Sequence, residues 1–241
     1  MDISTVFQIL EHVGVFAFAI SGALVAIDNE TDIFGVIFLS FITSFGGGII
    51  RDLCLGLPVP LFFTPNYTSL LLVCLVTSLA VFFFAMLFKN RFVKNEKLLD
   101  TINNYIDAVG LGAFAVAGAK LTIAMGYKSP FMVIMMGMTC CIGGGMLRDI
   151  MLNQIPFVLR KRIYALAAAA GSGAYYLLWV LSVDDAIAMV IGAFVTIAIR
   201  VLATVFKWNM PRAINFSTLR AQLDVENEKE CEEEAKEEIL K

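Results

Sequence analysis

Two stretches of the sequence repeat at a fixed offset, and this repeat limits the fold more than any other feature. Leu10–Ala23 (LEHVGVFAFAISGA) matches Ile106–Ala119 (IDAVGLGAFAVAGA) at seven of fourteen positions, with Glu11 answered by Asp107. Further along, Gly46–Leu55 (GGGIIRDLCL) matches Gly143–Leu152 (GGGMLRDIML), and Tyr67 stands opposite Tyr164. The offset is 96 to 97 residues throughout. Chance produces scattered Ala and Gly identities between apolar helices, but not the same Arg-Asp pair after three glycines at a constant spacing. The chain is therefore read as two copies of one structural unit.

What each copy contains follows from hydropathy. A bilayer core of about 30 Å needs about 20 largely apolar helical residues, and the sequence offers seven such windows, at 6–27, 33–56, 67–88, 104–125, 130–153, 163–182 and 185–206. With 59% hydrophobic and only 16% charged residues, the chain has too little polar surface for an ordinary water-soluble domain. Each copy holds three spans, an odd number, so the second must enter the membrane from the opposite side. The predicted architecture is an all-α polytopic membrane protein: a first three-helix repeat (1–98), an inverted second one (99–183), a seventh helix (184–211) and a charged acidic tail (212–241). No cleavable signal peptide is expected, since the N-terminus lacks a basic region and the first apolar stretch is long enough to span.

The charges then order themselves. Of the formal net charge of −3, the segment from Arg220 to Lys241 contributes −5, leaving +2 for the rest. The acidic balance belongs to the tail, a solvated helix or disordered segment, and no basic patch suggests nucleic acid. Lys89, Arg91, Lys94 and Lys97, then Arg160, Lys161 and Arg162, then Lys207, Arg212 and Arg220 follow the third, fifth and seventh spans. The positive-inside rule assigns these segments to the cytoplasm, with the N-terminus outside. A multi-pass protein of the cell membrane is the expectation. The single histidine, His12, offers little for catalysis or metal binding, and Cys54, Cys74, Cys140 and Cys141 read as small apolar residues in membrane runs. With no nucleophile–histidine pairing, no HExxH and no Walker loop, an enzyme is not expected, and no cofactor or metal is implied.

The functional candidates are what remains inside the membrane. Inverted-repeat proteins place their site where the repeats meet, commonly at interrupted helices. Gly46, Gly47 and Gly48 in the second span and Gly143, Gly144 and Gly145 in the fifth answer that description. Either they unwind the helix and release carbonyl oxygens to a cation path, or they are notches for close packing; their symmetric occurrence favours the first. Arg51, Asp52, Arg148 and Asp149 stand within spans, where a charge costs about 2.5–3.5 kcal/mol at the helix centre. Neighbouring helical residues diverge by about 100°, so their partners are expected across the repeat interface: Arg51 with Asp149 and Arg148 with Asp52, or released carbonyls, or pore water. A charge cluster that merely pins two helices is the alternative.

Lys120 replaces the apolar Leu24 of the first copy. It either snorkels outward or faces a cavity as a fixed charge. Arg200 is expected to snorkel to the cytoplasmic surface. Ser21, Thr43, Ser44 and Thr139 supply hydroxyls near the same helices, although such groups often bond their own backbone. Phe82–Phe84 reads as lipid-facing surface.

The paired FAISGA/FAVAGA and GGGIIRD/GGGMLRD motifs, the seven spans and the basic third loop resemble the prokaryotic trimeric intracellular cation (TRIC) channel family, a bacterial family also described as glycine transporters. The likeness spans about residues 5–206. It implies a homotrimer with a pore in each protomer, lined by bent second and fifth helices and conducting K⁺ with some Na⁺. By motif position the glycine triplets, Arg51, Asp52, Arg148 and Asp149 would be the pore residues. Animal members carry Lys-Glu-Val where Arg-Asp stands here, so animal-type gating and lipid regulation are not implied. Read from the residues alone, a secondary transporter of a small amino acid such as glycine stands as the alternative to a K⁺-permeable channel.

Overall fold

The computed structural model describes residues 3–89, 96–160 and 163–208, apart from the side chains of Ile3, Glu96, Lys97 and Arg160. The tail, Arg91, Lys94, Lys161, Arg162, Arg212 and Arg220 lie outside the described residues, as do the side chains of Lys97 and Arg160. Seven helices are long and apolar enough to cross a membrane. They are α1 (Ile3–Asp28), α2 (Ile33–Cys54), α3 (Thr68–Leu87), α4 (Glu96–Ala124), α5 (Pro130–Met151), α6 (Ile163–Val180) and α7 (Asp185–Val205). Their starts carry local signals: Asp32 accepts from the Gly35 amide at 2.7 Å, Pro130 opens α5, and Asp184 accepts from the amides of Ala186 and Ile187. The two aspartates satisfy donors that a helix start leaves unpaired, and the proline removes one such donor. Large apolar side chains such as Phe34, Leu87, Phe131 and Phe194 face outward, the surface a bilayer would cover.

The repeat is visible in how the helices meet. Phe18 of α1 lies against Gly110 of α4, and Phe114 of α4 lies against Gly14 of α1, so each ring occupies the space a side chain on the other glycine would need. The two rings stack with centroids 5.4 Å apart. The identities that marked the repeat are thus reciprocal contacts across its axis.

The same holds at the centre. Both α2 and α5 run as unbroken α-helices through their glycine triplets. The expected unwinding is absent, and the glycines act as packing notches. A Cβ built on Gly47 would stand 2.0 Å from the carbonyl oxygen of Cys140, and one on Gly144 would stand 2.1 Å from that of Thr43. Backbone meets backbone at this crossing, an approach only glycine permits. Gly48 differs, because its nearest neighbour would be Arg51 Nη2 at 3.8 Å.

Unequal tolerance within one triplet is therefore expected. Gly47→Ala or Gly144→Ala forces a backbone shift and should cost about 3 kcal/mol or more, seen as a large fall in thermal midpoint or loss of the monodisperse detergent peak. Gly48→Ala should match or exceed the parent, since it removes the helix penalty of glycine, about 1 kcal/mol. Equal behaviour of the three variants would refute the crossing.

Candidate functional site

The C-terminal turns of α2 and α5 carry the intramembrane charges, and consecutive spans run in opposite directions, so the two sets lie towards opposite faces. Both helices end alike: Gly56 and Asn153, equivalent in the repeat, take left-handed backbone conformations with φ of 78° and 54°. The chain then turns back into a short helical segment, Leu61–Phe63 in the first copy and Phe157–Arg160 in the second.

That return places an amide over each aspartate. Arg51 donates to Asp52 Oδ1 from Nε at 2.8 Å and from Nη2 at 2.7 Å, while Asp52 Oδ2 accepts from the Leu61 amide at 2.9 Å. In the second copy Arg148 donates to Asp149 Oδ1 at 2.9 and 2.8 Å, and the Phe157 amide reaches Asp149 Oδ2 at 2.7 Å. The cross-repeat ion pairs expected from helical geometry are not formed. Cα–Cβ directions do diverge, but the long arginine stem curls back, and at a helix end no following turn blocks it. What crosses the interface is the remaining guanidinium nitrogen. Arg51 Nη1 donates to Cys140 Sγ at 3.1 Å, and Arg148 Nη1 to Ser21 Oγ at 3.2 Å.

Each ion pair borders a small cavity. The first is walled by Glu11, Ser44, Gly48, Arg51, Asp52 and Tyr67, among others. The second is walled by Ser21, Asp107, Gly145, Arg148, Asp149 and Tyr164, with Asn103 and Asn104. Tyr67 shares the first wall with Glu11, and Tyr164 shares the second with Asp107. Glu11 and Asp107 are both only 8% exposed. Between the cavities stands the crossing of Gly46 and Gly47 with Gly143 and Gly144.

The other candidates divide. Ser21 and Ser44 border the cavities, and Ser44 donates to the Val15 carbonyl at 3.3 Å. Thr43 and Thr139 spend their hydroxyls one turn back in their own helices, on Leu39 and Met135. Lys120 borders neither cavity; it is ion-paired to Asp185 at the start of α7, which also accepts from the Tyr175 hydroxyl at 2.7 Å. Arg200 does not snorkel. It is 3% exposed, with its guanidinium 4.7 Å from the ring centre of Tyr164 and 5.6 Å from that of Phe157. Of the cysteines, Cys54 is exposed, while Cys74, Cys140 and Cys141 are buried.

Reading the spans one at a time passes over Glu11, Asp107, Tyr67 and Tyr164 as site residues, although the repeat aligns them in pairs. Asn103 stands opposite Phe7, and Arg200 lies on the helix with no repeat partner, so the repeat offers no signal for either.

Known proteins resemble this chain in sequence and fold. A family model described as "Glycine transporter" matches residues 8–86 and again 104–180. The UPF0126 membrane protein YvgT of Bacillus subtilis is 34% identical over 204 residues, covering 85% of this chain and 95% of its own. The UPF0126 inner membrane protein YadS of Escherichia coli K12 is 34% identical over 205 residues, covering 83% and 92%. Among solved structures, one that explains conductance through TRIC cation channels is 36% identical with a TM-score of 0.75, over 87% of this chain and 98% of its own. The TRIC channel orthologue of Rhodobacter sphaeroides is 33% identical with a TM-score of 0.74, over 85% and 100%. With the family model on both repeats and relatives of matching length, the chain belongs to the UPF0126 (glycine transporter) family of membrane proteins, whose solved relatives are bacterial TRIC channels.

Proposed function

We propose that this protein is a monovalent cation channel permeable to K⁺ and Na⁺, working as a homotrimer in the cell membrane with a path in each protomer. The observation that carries the reading is the two-fold pair of cavities, each bringing one further carboxylate to an Arg-Asp pair on either side of a glycine crossing. Carboxylate oxygens in a low-dielectric setting replace part of a cation's water shell, and two shallow sites let it leave again. Arg51 and Arg148 keep Asp52 and Asp149 in place, so that Glu11 and Asp107 are the carboxylates left to face the ion. The path runs from one cavity to the other past the crossing of α2 and α5, and glycine there lets a small helix displacement decide passage. The N-terminus lies outside and the C-terminus in the cytoplasm, with lipid filling the outer surface.

The TRIC relatives support this reading at 33% and 36% identity over nearly their full length. The family description names glycine instead, so the deciding experiment measures both on one reconstituted preparation. Liposomes carrying folded protein should show K⁺ flux under a K⁺ gradient, linear in concentration and electrogenic. Saturable uptake of labelled glycine, competed by unlabelled glycine and without K⁺ flux, would overturn the channel.

Three substitutions then locate the path. Glu11→Gln should lower K⁺ flux per folded trimer by about tenfold, the scale on which charged walls concentrate ions. Asp52→Asn leaves Arg51 buried without its partner and should cost about 3–5 kcal/mol, read as lost thermal stability before any change in selectivity. Lys120→Gln should leave K⁺ flux within about twofold of the parent and cost about 1 kcal/mol or less, because the pair it breaks is partly exposed. A loss of flux in Lys120→Gln as large as in Glu11→Gln would return Lys120 to the path.

A further inference from the structure

The two cavities are related by the repeat, yet their charges are not. Cavity one sets two carboxylates, Glu11 and Asp52, against the single guanidinium of Arg51. Cavity two sets Asp107 and Asp149 against Arg148, and behind the Tyr164 and Phe157 rings that wall it lies a second guanidinium, Arg200. Arg200 comes from α7, which has no counterpart in the first repeat. Nothing in cavity one can supply the same charge.

Among the described residues Arg200 has no ion-pair partner within salt-bridge distance. Its Nε and Nη2 are buried without a hydrogen-bond partner, and so are Asp107 Oδ2 and Asn103 Oδ1 on the wall of the cavity. Leaving buried donors or acceptors unmet costs about 1–3 kcal/mol each, more for charged groups. Two unmet donors thus lie against the Tyr164 and Phe157 rings, and two unmet acceptors stand on the wall those rings complete, around a cavity of about 30 Å³, room for about two water molecules. Asn103 also borders a cavity of about 510 Å³ whose wall carries Asp28, Glu30 and Asp100 with Lys89. Cations collected there meet Asn103 and Asp107 next.

From this we infer that Arg200 is a tethered counter-charge which makes the two ends of the cation path unequal. In cavity one the carboxylate excess is balanced by a permeant cation. In cavity two Arg200 supplies that balancing charge through hydrated Asp107, so a mobile cation is held weakly there. The consequence is rectification: inside the path a cation is held more strongly in the Glu11 cavity than in the Asp107 cavity, so the two directions of flow meet different sites in a different order. The inference rests on the cation path proposed above, and it assigns α7 a role in conduction besides packing against α4 and α6.

Single-channel recording of the full-length protein in symmetric KCl tests it, comparing currents at equal and opposite voltages. The parent should rectify by at least about twofold. Arg200→Gln should bring the ratio close to one and raise conductance, because both cavities then carry a carboxylate excess. Arg200→Lys, which keeps the charge and loses the fork, should retain the parental ratio. Asp107→Asn should steepen rectification, and it serves as the readout if Arg200→Gln does not yield intact trimers. Parental K⁺ current with equal currents in both directions, or a ratio unmoved by Arg200→Gln or Asp107→Asn, would overturn the inference and leave the channel standing. Absence of K⁺ current in intact parental trimers would remove the channel itself, and this inference with it.

Discussion

The contact on which the rest of the molecule depends is the one between Gly47 and the Cys140 carbonyl, and its mirror between Gly144 and the Thr43 carbonyl. In a bilayer there is no hydrophobic drive between helices, so association rests on close packing and on polar contacts. Two carbonyls resting where side chains would stand bring α2 and α5 as near as helices can come. That distance sets how far Arg51 must reach to find Cys140 and Arg148 to find Ser21.

The two buried Arg-Asp pairs are tolerated because each is met within its own helix end. Placed at a helix centre, Arg51 and Asp52 would diverge and seek partners elsewhere. At the last turn, where the chain reverses through Gly56 or Asn153, the arginine curls onto its neighbour and the returning backbone adds an amide to the second carboxylate oxygen. Each aspartate is thereby fully engaged. Burial of a charge in hydrocarbon costs several kcal/mol unless it is paired and hydrogen-bonded, and here both conditions are met from residues within nine positions of one another. Glu11 and Asp107 lack that arrangement, which is why they can serve a passing ion.

Seven spans and the pairing of the two motif copies were legible from apolar length and the repeat offset, because both are one-dimensional properties of the chain. The role of the glycines was not. A Gly triplet looks the same whether it breaks a helix or lets a backbone in, and only the partner across the gap, Cys140 or Thr43, distinguishes the two. Pairing of Arg51 with Asp52 was missed because helical divergence was applied to residues lying at a helix end. Arg200 was misread because its distance from the span's end says nothing about which way the side chain points. Tyr164 and Phe157, which hold it inside, are far away in sequence.

The interlock of Phe18 with Gly110 and of Phe114 with Gly14 bears on how the protein is made. Each aromatic ring completes the other half of the molecule, so neither half owns a finished interior. Synthesis proceeds at about 5–20 residues per second, and the notch at Gly14 therefore waits roughly 5–20 s before Phe114 exists to fill it. During that interval the first three helices sit in the bilayer with Gly14 and Gly47 uncovered. The newborn first repeat is a transient client for whatever shields polar groups in membranes, and the second repeat is the ligand that ends its exposure.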